Sequence, residues 1–383
     1  MLAWLLLFSA FFLCTLGLLT AFPSPPWSPW KLAVLAGEFG HWLALPAGAV
    51  LVTAALAARD GSLIAAPAAL IALIATVFLL KPTVQAHRVA SALPTALAHR
   101  FGARAQPLPS PRAFSPARLF IGRDPAPVAP RTFTIDGGLP LDFYPAIGRN
   151  GAGPAPVVIV IHGGGWDSGD RHQLPKLNHL LAARGFAVAA ISYRLAPHAL
   201  WPAQRDDTLA AIAWLKAQAP ALDLDAQRLV LLGRSAGGQI AQTVAYTARD
   251  PAIRGVVALY APSDLIFGYE NTHEDDMLRS PALMRQFLGG TPESARANYE
   301  SASALFHVHP AAPPTLLLHG INDALAWHRH SARLEARLAA AGVPHCYVAL
   351  PWATHAFDFN LHGPGGQLTV FALDWFLDRV TAG

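Results

Sequence analysis

Ser235 stands among glycines in Gly233-Arg234-Ser235-Ala236-Gly237, after the apolar run Leu229 to Leu232 and before the helix-like stretch Gln239 to Thr247. A strand, a glycine-flanked serine and a helix in that order predict a sharp turn that presents the hydroxyl, the arrangement covalent acyl transfer requires. Side chains at positions 233 and 237 are expected to collide with the neighbouring strand and helix. Three fixed positions in a chain holding 30 glycines are a weak pattern alone, so the surrounding sequence has to decide.

A serine hydroxyl is a poor nucleophile at neutral pH. It needs a histidine to take its proton and a carboxylate to hold that histidine in one tautomer. Strand-like Pro314 to Leu318 runs into His319-Gly320-Ile321-Asn322-Asp323, and strand-like Cys346 to Leu350 is followed by Thr354-His355-Ala356-Phe357. Ser235, Asp323 and His355 then stand in the chain order expected of an acyl-transfer site on a parallel sheet. Upstream, the apolar run Pro156 to Ile161 leads into His162-Gly163-Gly164-Gly165-Trp166. The backbone N–H groups of Gly164 and Gly165, with that of Ala236, are placed to bind the oxyanion that forms on serine attack.

Other residues compete for these roles among the chain's 16 histidines. His162 and His319 sit at strand ends beside glycine and read as loop hydrogen-bonders. His345 precedes the last strand, and His362 lies in a Gly-Pro-Gly loop expected to face solvent. Asp358 is three residues after His355, a poor place from which to support it. Asp206 and Asp207 open a helix-like stretch, where free N–H groups favour acids, and read as structural. The acidic segment around His273 lacks tight ligand spacing, so no metal is expected.

Alternating strand-like and helix-like segments over about 250 residues predict one α/β domain with a mostly parallel sheet covered on both faces. From Asp264 to Pro313 the pattern becomes charged and irregular, the expected place of a lid, with Met277-Leu278, Leu283-Met284 and Phe287-Leu288 as its apolar face.

From about Arg131 to the C-terminus the sequence resembles the α/β-hydrolases of the hormone-sensitive-lipase-like and BD-FAE-like esterase group. The resemblance rests on His162 to Trp166, on Ser192-Tyr193-Arg194-Leu195-Ala196-Pro197 with Asp206-Asp207, on Gly233 to Gly238, and on His319 to Asp323 with His355. It implies carboxylic-ester hydrolysis with Ser235 as nucleophile, His355 as base, Asp323 as its support and no cofactor. Gly164, Gly165 and Ala236 match the family's oxyanion-hole positions, and Asp264 would organise a loop. Arg234 departs from the pattern, since many members carry an acid there. Its charge either favours anionic substrates or pairs with a nearby acid. A peptidase or amidase could use the same nucleophile and base, and a receptor or scaffold on this fold is a further class.

Residues 1–81 read differently. Residues 1–80 hold only Lys31, Glu38, Arg59 and Asp60 as charges, and three apolar stretches, Leu2 to Phe22, Leu32 to Ala57 and Ser62 to Leu80, are candidate membrane spans at about 20 residues per crossing. No basic residue precedes the first, so an anchor is expected rather than a cleaved leader. Glu38 and His41, at i and i+3, share a face and are expected near the interface or against a neighbouring helix. Between Gly61 and Arg123 there is no acid, while Lys81, Arg88, Arg100, Arg104, Arg112, Arg118 and Arg123 follow the third stretch, which predicts a cytoplasmic hydrolase and an outside N-terminus. Residues 82–130, rich in Pro, Ala and Arg, read as a linker or cap segment with a short helix near Val84 to Leu93 ended by Pro94. The net charge of +4 is too small and too localised for nucleic-acid binding. Cys14 and Cys346 lie in separate apolar segments and are not expected to pair. Oligomeric state is left open.

Overall fold

A computed structural model describes residues 1–23, 30–104, 112–135, 137–149 and 153–382. Three long helices come first, α1 (Leu2–Leu18), α2 (Trp30–Arg59) and α3 (Ala65–Phe101), then a short α4 (Pro116–Ile121). The sheet is made by β1 (Arg131–Thr134), β2 (Pro140–Tyr144), β3 (Ala155–Ile161), β4 (Ala187–Ile191), β5 (Leu224–Arg234), β6 (Ile253–Leu259), β7 (Thr315–Gly320) and β8 (His345–Leu350). Between and after the strands come α5 (Lys176–Ala183), α6 (Ala203–Leu222), α7 (Ala236–Thr247), α8 (Leu265–Glu270), α9 (Ser280–Leu288), α10 (Arg296–Ala302), α11 (Arg329–Ala340) and α12 (Pro364–Thr381).

The eight strands lie in the order β1-β2-β4-β3-β5-β6-β7-β8. The first two pair antiparallel, and from β4 onward every neighbour is parallel. This is the α/β-hydrolase arrangement. Strands buried on both faces read as unbroken apolar runs, and β3 and β4 are buried at every position. Alternation then sorts side chains by face: Ile159, Leu231, Ala258 and Leu317 pack under α6, α7 and α11, while Val160, Leu232, Leu259 and Leu318 pack under α5 and α12.

The second face has an unexpected member. The stretch 82–130 is not a linker that begins at Pro82: α3 runs on through Pro82 and Pro94 to Phe101. Its stripe Ala86, Leu93 and Leu97, with Val89 and Ala90 beside it, joins the cluster of Val348, Phe371 and Phe376. That burial outweighs the roughly 3 kcal/mol that an interior proline costs a helix. The carbonyl that Pro82 leaves without a partner, Phe78 O, accepts from Thr20 Oγ1 at 2.8 Å. Further on, Ala113, Phe114, Leu119 and Val128 are buried in the same cluster. Residues 105–111 of the expected linker lie outside the described residues.

α1, α2 and the first half of α3 form an antiparallel bundle packed through small residues, Gly17 against Ala75 and Gly40 against Leu79, with Ala10, Ala68 and Ala72 also fully buried. Its outer surface is apolar and exposed at Phe8, Phe11, Val52, Leu70 and Val77. α2 and α3 are long and apolar enough to cross a membrane, and α1 is a shorter apolar helix.

Candidate active site

β5 ends at Arg234 and α7 starts at Ala236, so Ser235 occupies the turn itself, with φ 51° and ψ −121°. A residue bearing a Cβ holds such a conformation at a cost of about 1–3 kcal/mol unless its surroundings fix it. They do: Ser235 N donates to Leu259 O at 2.9 Å, and Ser235 O accepts from Gly238 N at 2.9 Å and Gln239 N at 3.1 Å. The flanking glycines are required by close approach. A Cβ at position 233 would sit 2.1 Å from Gly237 O, and one at position 237 would sit 2.2 Å from Ile161 O.

Asp323 lies in the loop after β7 and His355 in the loop after β8. The two loops bring His355 Nδ1 to 2.7 Å from Asp323 Oδ2. The other carboxylate oxygen accepts from Leu325 N at 2.9 Å and Ala326 N at 3.0 Å. His319 Nε2, 3.3 Å from Asp323 Oδ2, also donates to Ala326 O at 2.7 Å. Burial opposes the charge of Asp323, but the neighbouring His355 and the hydrogen bonds from His319 and His355 outweigh it and hold the carboxyl well below its ordinary range. An ionised Asp323 keeps the proton of His355 on Nδ1 and leaves Nε2 as the basic nitrogen. Ser235 and His355 line the same two cavities.

Gly164 and Gly165 follow β3 with φ 120° and 62°. Their loop is pinned from both ends, since Gly163 N donates to Gln173 Oε1 at 2.7 Å and Gly164 O accepts from Ser168 Oγ at 2.7 Å. Gly164 and Gly165 share the larger cavity with Ser235, and Gly165 and Ala236 share the smaller one with it.

The competing residues are engaged elsewhere. His162 donates from Nδ1 to Gly163 O at 2.7 Å and stacks on Tyr193 at 4.2 Å. Asp207 accepts from Arg194 N at 2.8 Å and ties the Tyr-Arg-Leu-Ala-Pro segment to α6. Asp264 caps α8 by accepting from Phe267 N at 3.0 Å and pairs with Arg333 at 2.6 Å. Asp358 accepts from Arg234 Nε at 2.5 Å and Tyr260 OH at 2.6 Å, all three buried. The charge of Arg234 is therefore spent on an internal pair. His362 is not solvent-facing, because its ring is packed against Gly122 with 16% of the side chain exposed and Nε2 3.4 Å from Asp124.

Five residues beside the site escape any sequence reading. Tyr260, at the end of β6, lies with its ring 4.4 Å from that of His355. Trp30, in the first turn of α2, meets the same imidazole edge-on at 6.0 Å. Lys31, Val34 and Leu35 extend that wall of the larger cavity. No local motif marks them: Tyr260 reaches the imidazole from the end of β6, and only the docking of the bundle brings the α2 residues there.

The chain is 31% identical over 242 residues to Esterase LipC of Mycobacterium tuberculosis, covering 59% of this chain and 59% of the relative. It is 30% identical over 213 residues to Esterase LipQ of the same organism, covering 53% and 51%. Thus it spans between about half and three-fifths of the length of the curated relatives it matches. An esterase/lipase from an uncultured bacterium superposes with a TM-score of 0.56 at 21% identity, over 76% of this chain and 98% of that one, which is a likeness of fold. Residues 141–338, from β2 to α11, match the BD-FAE family profile, and they carry the glycine loop after β3, the serine turn and the acid after β7. The chain belongs to the BD-FAE family of α/β-hydrolases.

Proposed function

We propose that this protein is a membrane-anchored serine carboxylesterase. The observation that carries the reading is the contact of His355 Nδ1 with the buried Asp323 carboxylate, on loops that share two cavities with the strained Ser235. His355 Nε2 takes the proton as Ser235 Oγ attacks an ester carbonyl, and the N–H groups of Gly164, Gly165 and Ala236 receive the oxyanion. The proton passes to the departing alcohol and leaves an acyl-serine. Water, deprotonated by the same nitrogen, then releases the acid and restores the hydroxyl. The relatives' printed activities, both esterases, support an ester rather than an amide substrate.

Anchoring is supported by the exposed apolar surface of the bundle, since a water-facing protein rarely shows so wide an apolar area. Three crossings, α1 included, would put the N-terminus on the side opposite the catalytic domain. The basic residues from Lys81 to Arg123 favour the cytoplasm for that domain.

The test is Ser235→Ala in detergent-purified protein. Turnover of a matched ester should fall by about 10⁴ to 10⁶ with an unchanged unfolding profile. Hydrolysis at the parent rate would refute the reading, and an amide cleaved as fast as its matched ester would replace it with a peptidase.

A further inference from the structure

Two cavities of very different size meet at Ser235 and His355. The smaller, ≈ 60 Å³, is closed by Trp166, Leu265, Met284 and His330. A single water needs at least about 15 Å³ and takes about 30 Å³ in the liquid, so this pocket holds a group of only about two to four heavy atoms. The larger, ≈ 640 Å³, is within the range of sites that enclose a drug-sized ligand. One of its walls is α2, through Trp30, Val34 and Leu35, a helix the catalytic domain does not own.

The mouth of the larger cavity is open, polar on the side of Lys31, Asp167 and Ser168 and apolar on the other. Leu35, Leu278 and Phe359 line it while remaining 44%, 39% and 49% exposed. From Leu35 the exposed apolar surface continues along α2 through Trp42, Leu45 and Val52. Topology fixes which way this mouth looks. Ser235, Asp323 and His355 all follow the C-terminal ends of parallel strands. The far end of α3, at Arg100 and Phe101, lies with Pro313, Pro314 and Pro344 beside the N-terminal ends of β7 and β8. From Lys81 to Phe101 a helix rises about 30 Å, so the bundle adjoins the catalytic edge of the sheet and not the opposite one.

We propose that the substrate is an amphiphilic ester resident in the bilayer, with one short half seated in the small pocket and one long apolar half lying against α2. It enters from the lipid side past Leu35 and Phe359. This rests on the serine-esterase and membrane readings above and adds the substrate class. The long half stays in an apolar environment throughout, so extraction into water is avoided, and the bundle acts as a wall of the site as well as an anchor.

The experiment uses the full chain reconstituted in phosphatidylcholine vesicles. Four esters are compared: ethyl acetate with both halves short, hexadecyl acetate and ethyl palmitate with one long half each, and hexadecyl palmitate with two. One of the two mixed esters should be cleaved with kcat/KM at least tenfold above hexadecyl palmitate, and which one tells whether the acyl or the alcohol half is short. Val34→Trp, which narrows the larger cavity at its α2 wall, should lower the ratio of mixed-ester to ethyl acetate kcat/KM at least tenfold. Leu35→Trp, on the exposed rim and little involved in packing, should lower it in the same direction if the first variant does not fold. Equal cleavage of hexadecyl palmitate, or a ratio unmoved by a folded variant, overturns this inference. A fluorophosphonate probe separates the failures. A labelled Ser235 with the wrong selectivity overturns only the substrate class, whereas an unlabelled protein that cleaves no ester overturns the esterase reading and this one with it.

Discussion

Asp323 has each oxygen committed, one to two backbone N–H groups and the other to His355 Nδ1. Asp323→Asn keeps the shape but offers an amide where the imidazole needs an acceptor, so the ring is held in the wrong tautomer. Turnover should fall about 10⁴-fold with little change in KM, measured on a soluble ester. His330 supplies a pH dependence of a different kind. Burial, reinforced by the positive field of His319, pushes its imidazole down to about 3 from an ordinary 6.5. The unfolded chain therefore binds the proton more readily, and the stability this histidine contributes is fully present above about pH 6.5 and lost as pH falls toward 3. Between pH 6.5 and 5 the loss should be about 2 kcal/mol, and His330→Gln should flatten that part of a stability profile taken by denaturant melts. Arg234 and Asp358 are a buried pair, so Asp358→Ala leaves an uncompensated guanidinium and should cost about 3–5 kcal/mol in the same melts.

At the scale of elements, the polar residues of α2 are what dock it. Glu38 accepts from Gly365 N at 2.9 Å and Gly366 N at 3.4 Å, so an acid from one helix satisfies the free N–H groups that begin α12. A Cβ at position 365 would come within 2.7 Å of Glu38 Oε1, so the glycine there is what admits the carboxylate. His41 Nε2 donates to Leu119 O at 3.1 Å, and Phe120 packs edge-on against both His41 and Trp42. The i, i+3 spacing of Glu38 and His41 made a shared face legible, with the interface and a neighbouring helix both open as its surroundings. That the neighbours are α12 and α4 was not legible. Glu38→Ala should lower the thermal midpoint in detergent by removing acceptors for two buried N–H groups, at about 1–3 kcal/mol, and Glu38→Gln should recover part of the loss.

Across the whole molecule, bundle and hydrolase form one packed body. α3 belongs to both, its first half to the bundle and its second to the core under β8 and α12. Trp375 Nε1 donates to Gly102 O and Arg379 Nε to Phe101 O, which closes the end of that helix on the C-terminal one. Asn322 Nδ2, next to Asp323, donates to Thr20 O in the segment after α1. Deleting residues 1–104 should therefore give insoluble protein rather than a soluble enzyme, because it uncovers Val348, Phe371 and Phe376. Recovery of the truncated chain in the soluble fraction with parent activity on a short ester would contradict this.

What the sequence by itself determined follows from local physics. Apolar runs of strand length, glycines on either side of a serine, and an acid and a histidine after successive strands each state a backbone requirement within a few residues, so the sheet, the serine turn and the order of Ser235, Asp323 and His355 were legible. Pro82 and Pro94 misled for the same reason, since their local preference to end a helix is real, and only burial of Ala86, Leu93 and Leu97 overrides it. The tertiary structure alone decided that α2 forms a wall beside His355, that Tyr260 and Trp30 flank the imidazole, and that Asp358 neutralises Arg234. Those contacts join residues tens to hundreds of positions apart, and no spacing rule in a sequence encodes a distance that only packing creates.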